Sequence, residues 1–208
     1  MFGRSKLEVV RPEDALPGRS EAIAVQQPHH VHGRAITPPW PDGHELAVVG
    51  MGCFWGAERL YWSLPGVWTT FVGYAGGSTP HPTYREVCTG RTGHAEVVGI
   101  VFDPATIGYE DLLVPFWEQH DPTQGMRQGN DIGTQYRSCL LVTGDDQREV
   151  AEASRARYQA SLTEAGHGRI TTEIAALGPV YWAEPEHQQY LSKHPGGYCN
   201  HGFCQVAY

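Results

Sequence analysis

The sequence predicts an α+β fold: a single domain with a mixed central β-sheet and packed helices, an extended N-terminal arm and a glycine-rich C-terminal tail. Three observations lead there. From Glu45 onward, strand-like and helix-like segments alternate, yet not every pair of strands is separated by a helix, so a mixed sheet fits better than a purely parallel one. Residues 1–43 hold Pro12, Pro17, Pro28, Pro38, Pro39 and Pro41 and sustain neither the helical nor the strand period. A length of 208 residues suffices for one substantial core and is short for two. The expected division is an arm over 1–43, a main domain over 44–194 and a tail over 195–208.

The arm is expected to wrap the surface. Its His29, His30 and His32 lack cysteines or carboxylates at ligand spacing, so they read as solvated loop in preference to a metal site. The expected strands are 46–51, 69–74, 96–102, 137–142 and 171–177, and the first, Leu46-Ala47-Val48-Val49-Gly50-Met51, is a continuous apolar run of the buried kind. The expected helices are 54–63, 108–119, 146–164 and 185–193. The first places Ala57, Leu60, Tyr61 and Leu64 at helical spacing, Asp145 or Asp146 can cap the third, and Pro185 suits the first turn of the fourth. There is no internal repeat, coiled coil or phosphate-binding glycine loop.

Fifteen Lys and Arg against 23 Asp and Glu give a net charge of -8 and leave no basic stripe, which argues against nucleic acid as a partner. No stretch approaches the roughly 20 apolar residues of a membrane span, and the first residues lead into Glu8 and Pro12 instead of a signal-peptide core. A soluble, cytoplasmic protein is expected. Five cysteines are an odd number and sparse for this length, unlike a secreted disulfide scaffold, so reduced thiols with a redox or catalytic task fit better.

The most informative segment is Gly52-Cys53-Phe54-Trp55-Gly56, where an apolar run turns into a helical pattern. A thiol at a helix N-terminus meets free backbone N–H groups and the positive end of the dipole, so Cys53 is expected to ionise below the free value of about 8.5. Phe54 and Trp55 offer apolar faces beside it. The alternative is an inert core cysteine. Glu96, at the mouth of an apolar strand, reads as a partly desolvated carboxyl with a raised pKa and hence a proton donor, or as a surface partner of Arg91. Tyr136 follows a long polar stretch and can hydrogen-bond a ligand oxygen or be an ordinary half-buried tyrosine. The tail, Pro195 to Cys204, carries Cys199 and Cys204 on a glycine-flanked segment that can move, suiting thiol–disulfide relay. Zinc held by Cys199, His201, Cys204 and His194 is the competing reading.

Taken together, Gly52-Cys53-Phe54-Trp55-Gly56, Pro82-Thr83-Tyr84-Arg85-Glu86-Val87-Cys88, Gly93-His94-Ala95-Glu96, Gln128 to Ser138, and His187-Gln188-Gln189-Tyr190-Leu191 resemble the methionine sulfoxide reductase A family over residues 45 to 200. The segment Pro12 to Arg19 looks like the N-terminal extension of its longer bacterial members. The resemblance implies that 44–194 is a catalytic domain reducing the S epimer of methionine sulfoxide, free or in proteins, with no bound cofactor or metal. It implies that Cys53 is the nucleophile and becomes a sulfenic acid, and that Glu96 is the acid, with Tyr84 and Tyr136 as further donors to the sulfoxide oxygen. Phe54 and Trp55 match the cage for the substrate methyl group, and Asp131 matches a position near the substrate's polar end. Cys199 matches the resolving cysteine. Cys204 would take over the disulfide and present it to thioredoxin, for which a dithiol such as DTT can stand in, and the chain is taken as a monomer. One departure stands out: only Asn200, His201, Gly202 and Phe203 separate the two tail cysteines, where a longer glycine-rich stretch is usual. Cys88 and Cys139 are not matched to catalytic positions. Two other classes remain beside the reductase: a cysteine hydrolase using Cys53 with His94 as base, and a zinc-binding interaction module built on the tail.

Overall fold

The computed structural model describes residues 6–25, 27–199, 201 and 206–208. In chain order the elements are β1 (Glu45–Met51), α1 (Phe54–Tyr61), β2 (Val67–Ala75), α2 (Tyr84–Cys88), β3 (Ala95–Phe102), α3 (Tyr109–Glu118), β4 (Arg127–Gln128), β5 (Asp131–Ile132), β6 (Ser138–Val142), α4 (Asp145–Glu164), β7 (Glu173–Ala176), β8 (Tyr181–Trp182) and α5 (Tyr190–Lys193). Six strands form one sheet in the order β7-β6-β1-β3-β2-β8, while β4 and β5 make a separate hairpin. All pairings in the large sheet are antiparallel except β6 with β7, so the α+β fold with a mixed sheet holds.

Alternation along β3 decides where chemistry can sit. Ala95 and Val97 pack with Val48, Cys139 and Leu141 on one face, whereas Val98, Ile100 and Phe102 face α1, α3 and α4 across the main core. Side chains two apart share a face, so Glu96 lies on the helix-covered side. In α4, Gln147, Ala151, Ser154, Tyr158 and Leu162 are buried at helical spacing.

Four local expectations are corrected. The expected helix 185–193 shrinks to α5, with Gln189 left-handed at φ 48, because the preceding glutamines do other work. Gln188 pairs its amide with both backbone groups of Val72, at 2.9 and 2.8 Å, as a strand would, and the Gln189 N–H is committed to Glu58 at 2.8 Å. Pro185 therefore starts no helix. The segment read as polar loop around residue 84 contains α2, nucleated by a capping box in which Thr83 and Glu86 satisfy each other's backbone. Gly144, not an aspartate, occupies the N-cap of α4; Asp145 and Asp146 lie in its first turn, where they complement the dipole.

The fourth correction concerns His29 of the arm, a segment that packs against the domain through a few buried residues. Val10, His29 and Ile36 are buried, Arg19 grips Glu86 through both carboxylate oxygens at 2.9 Å, and Trp40 stacks on Phe71. His29 is no solvated residue: its Nδ1 accepts from the backbone N–H groups of Val31 and His32, leaving Nε2–H to donate to Thr70 Oγ1 at 2.9 Å. Burial drives its pKa down to about 3, so it is neutral.

Candidate active site

β1 delivers Cys53 to the N-cap of α1. The turn depends on Gly52, whose φ of 86 belongs to the left-handed region and whose missing Cβ leaves room for Gln128. Cys53 is 6% exposed. Burial pushes its thiol well above the ordinary range and the Glu96 carboxyl adds to this, while hydrogen bonds from the backbone N–H groups of Trp55 and Gly56 act the other way. The expected low pKa is thus overturned for the substrate-free site. The helix-end donors are present, but desolvation outweighs them.

Glu96 stands opposite Tyr74 in the β2–β3 register and is 1% exposed. Its Oε2 accepts from the Phe54 N–H at 3.0 Å, whereas its Oε1 is buried without a partner among the described residues. Burial raises its pKa to about 8; the Phe54 bond opposes this and the Asp131 charge adds a little. A carboxyl in this state can donate a proton, and among the described residues it forms no ion pair with Arg91. With Oε2 accepting a hydrogen bond, the acid proton belongs on Oε1, the atom with no other engagement.

Tyr84 opens α2, and its N–H donates to Glu184 at 2.7 Å; the other oxygen of Glu184 accepts from the Tyr74 hydroxyl at 2.8 Å. Tyr136 closes a 3-10 turn over Thr134–Tyr136. Burial first, then the Glu96 charge, raises the pKa of both phenols, which therefore remain donors. Cys53, Tyr84, Tyr136 and Asp131 all lie within electrostatic reach of Glu96. Asp131 also accepts from the Tyr198 hydroxyl at 3.2 Å.

Phe54 is buried among Tyr74, Tyr84 and His187. Trp55 is half-buried, stacks on Tyr190 at 4.0 Å and donates from Nε1 to His187 Nδ1 at 3.2 Å, which fixes its ring. The two aromatics thus adjoin the thiol on a rigid wall.

The tail reaches the same turn of α1. Cys199 Sγ accepts from Arg59 Nη2 at 3.2 Å and would lie 2.9 Å from a Cβ at Gly56, and His201 crowds the same position. Beyond it, Val206 accepts from the Tyr158 hydroxyl at 3.0 Å and the Tyr208 N–H donates to Glu118 at 2.8 Å. The described residues of the tail are docked on the domain. Cys204 lies outside them. Cys139 is buried in the sheet core, and Cys88 is half-buried at the end of α2.

The hydrolase alternative loses its footing here. His94 accepts the Gly77 N–H at Nδ1, 3.0 Å, and donates from Nε2 to the Thr79 carbonyl at 2.7 Å, so neither nitrogen is available as a base for Cys53. Among the described residues no group of three or more His, Cys, Asp or Glu side chains that could hold a metal comes together, and Cys204, on which the zinc reading depends, lies outside them. Sequence reasoning passed over Glu58, Glu184 and Arg59. Glu58 was the findable one, a carboxylate on the apolar face of α1 between Phe54 and Tyr61.

Residues 45–206 match the family model described as peptide methionine sulfoxide reductase. Peptide methionine sulfoxide reductase MsrA of Salinispora tropica is 62% identical over 201 residues, 96% of this chain and 91% of that protein. The protein of the same name from Azotobacter vinelandii is 60% identical over 197 residues, 95% and 91% of the two chains. Among solved structures, methionine sulfoxide reductase A of Corynebacterium diphtheriae superposes with a TM-score of 0.85 at 48% identity, covering 96% of this chain and 97% of that one. Mxr1 from Saccharomyces cerevisiae in reduced form gives 0.69 at 35% identity, covering 81% and 93%.

Proposed function

Because this chain belongs to the peptide methionine sulfoxide reductase family, thiol-dependent oxidoreductases that reduce methionine sulfoxide to methionine, we propose that Cys53 and Glu96 carry out the reduction here. The observation that supports this most is the unpartnered, buried Glu96 Oε1 beside the thiol. A sulfoxide entering the site brings an oxygen that Glu96 protonates and that the Tyr84 and Tyr136 hydroxyls hydrogen-bond, while its methyl group lies against Phe54 and Trp55 and its polar end near Asp131. Cys53 sulfur attacks the sulfoxide sulfur. The S–O bond of the substrate is exchanged for one to Cys53, the thiol proton replaces the one Glu96 gave, and the products are methionine and Cys53 sulfenic acid. While Glu96 holds its proton it does not oppose negative charge on Cys53, and the Trp55 and Gly56 N–H groups stabilise the attacking sulfur.

Cys199 then condenses with the sulfenic acid, forming a disulfide and releasing water, and Cys204 receives the bond for reduction by a thioredoxin-type dithiol. Yeast Mxr1 has been solved in complex with Trx2, which makes this class of reductant the natural one to test. The S epimer is the substrate, the chain acts as a monomer, and 1–43, 44–194 and 195–208 serve as arm, catalytic domain and recycling tail.

Replacement of the two cysteines tests the assignment. Cys53→Ser should form no methionine, and Cys199→Ser should form about one per chain and then stop as sulfenic acid. Sustained cycling by Cys53→Ser would contradict it.

A further inference from the structure

His201, the residue that interrupts the tail between its two cysteines, has an arrangement that docking alone does not explain. Its Nε2 lies 2.8 Å from the Met51 carbonyl oxygen and must carry the hydrogen, since a carbonyl only accepts. Nδ1 is therefore the nitrogen with the lone pair, and it is buried without a hydrogen-bond partner among the described residues. It is aimed at the slot above Gly56, where a Cβ would overlap it outright and would also lie 2.9 Å from Cys199 Sγ. An orphaned buried acceptor is costly unless something uses it. The Cys199 thiol, which must shed a proton when it is oxidised, borders the same slot on the turn of α1 that begins with Cys53.

We propose that His201 is the base that takes the Cys199 proton as that sulfur attacks Cys53 sulfenic acid, with Arg59 holding the sulfur over Gly56. The proposal rests on Cys53 being the nucleophile and Cys199 the resolving thiol. In the step, Cys199 sulfur forms the S–S bond, the S–O bond of Cys53 breaks, and the departing hydroxide takes the proton from His201 and leaves as water. Cys199 sulfur is oxidised and Cys53 sulfur reduced, and no outside reductant enters.

The surroundings suit a transient proton carrier. The groups facing the imidazole are Arg59 on α1, Cys199 on the tail and His120 just after α3, with Cys53 at the start of the α1 turn. His120 is neutral, its Nδ1 against the Phe116 carbonyl and its Nε2 2.8 Å from Ser138 Oγ. Burial, and then Arg59, lower the His201 pKa to about 4, so Nδ1 is unprotonated throughout the neutral range and keeps a proton only for the duration of the exchange.

The test follows the two half-reactions separately. Reduced full-length protein is mixed with methionine S-sulfoxide without reductant, and methionine, dimedone-reactive sulfenic acid and free thiols are measured in the same quenched samples. His201→Gln keeps an N–H for Met51 but has no lone pair at the Nδ1 position. It should form methionine within about twofold of the wild-type rate, accumulate sulfenic acid, and close the disulfide roughly 10²-fold more slowly, the lower end of what general-base catalysis supplies. Wild-type disulfide closure should be flat from about pH 5 to 8, whereas the variant's should rise roughly tenfold per pH unit as hydroxide replaces the base. Added imidazole should restore closure in His201→Ala. Wild-type closure kinetics in His201→Gln overturn the proposal, as does a slowing that is equal at all pH values and untouched by imidazole, the mark of a purely structural role. A wild-type protein that forms no methionine contradicts the parent reading instead, and the two failures are told apart by the methionine count.

Discussion

Glu96 keeps its proton at neutral pH because β3 carries it into the helix-covered core, where one oxygen has a single backbone donor and the other has none. Its pKa near 8 in the folded chain sits above its ordinary value, so the acid form dominates below about pH 8 and is lost above it. The methionine-forming step of the wild type should accordingly slow as pH rises through 8. Glu96→Gln should bind substrate, react roughly 10²–10⁴-fold more slowly and lose that pH dependence. A single-turnover rate unchanged by the substitution would assign the proton to Tyr84 or Tyr136. The ionisation of Cys53 shows what a motif leaves out. A helix start is visible in the sequence and argues for a thiolate, but the burial and the neighbouring carboxyl that reverse the sign come from β3, distant in the chain.

Helix α1 does more than begin at the proposed nucleophile. Glu58, fully buried on its inner face, accepts from Thr70 Oγ1 at 2.9 Å, from the Gln189 N–H at 2.8 Å and from the Gln189 side chain at 2.8 Å, while His29 of the arm donates to the same Thr70. One carboxyl thus ties α1 to β2, to the arm and to the segment that launches the tail. Glu58→Gln places an amide N–H against at least one of those donors and should cost about 1–3 kcal/mol of stability, read by denaturant or thermal unfolding. Burial raises the Glu58 pKa to about 7 in the folded chain, so the protonated state's contribution is complete below the unfolded value and is lost as pH climbs through 7. The variant should lack that decline. At this scale the sequence was most legible where apolar runs are long. β1, β2, β3, β6 and β7 and helices α1, α3 and α4 fall within a few residues of expectation. β4, β5 and β8, two residues each, are too short to carry a period. The last helix was overread because Gln188 and Gln189 have helical spacing to their neighbours but spend their hydrogen bonds on β2 and Glu58. Only α2 was missed despite a readable signal, the Thr83-x-x-Glu86 capping box.

The molecule as a whole packs both the arm and the tail onto the domain, and the tail reaches the site. The arm buries Val10 and Ile36 and clamps Glu86, and no helix among the described residues is long and apolar enough to cross a membrane. Burying two such side chains is worth roughly 3–6 kcal/mol, so removal of residues 1–43 should lower Tm by roughly 6–24 °C at the 2–4 °C per kcal/mol expected for this size. An unchanged Tm would mean that the arm is an ornament. The residues that the motifs single out come together around Glu96 from β1, α1, α2, the β4–β5 hairpin and the 3-10 turn, and Cys199 arrives over α1 from the opposite end of the chain. The central claim, that these groups form one reducing site with its own resolving thiol, is tested most directly by a single-turnover assay of fully reduced protein with each epimer of a blocked methionine sulfoxide and no reductant, counting methionine formed and thiols lost. The account predicts methionine from the S epimer alone, with two thiols lost for the first methionine and, once Cys204 has taken over the bond and freed Cys53, a second methionine that costs one further thiol as sulfenic acid. Methionine from both epimers, or methionine with no matching loss of thiols, would contradict it.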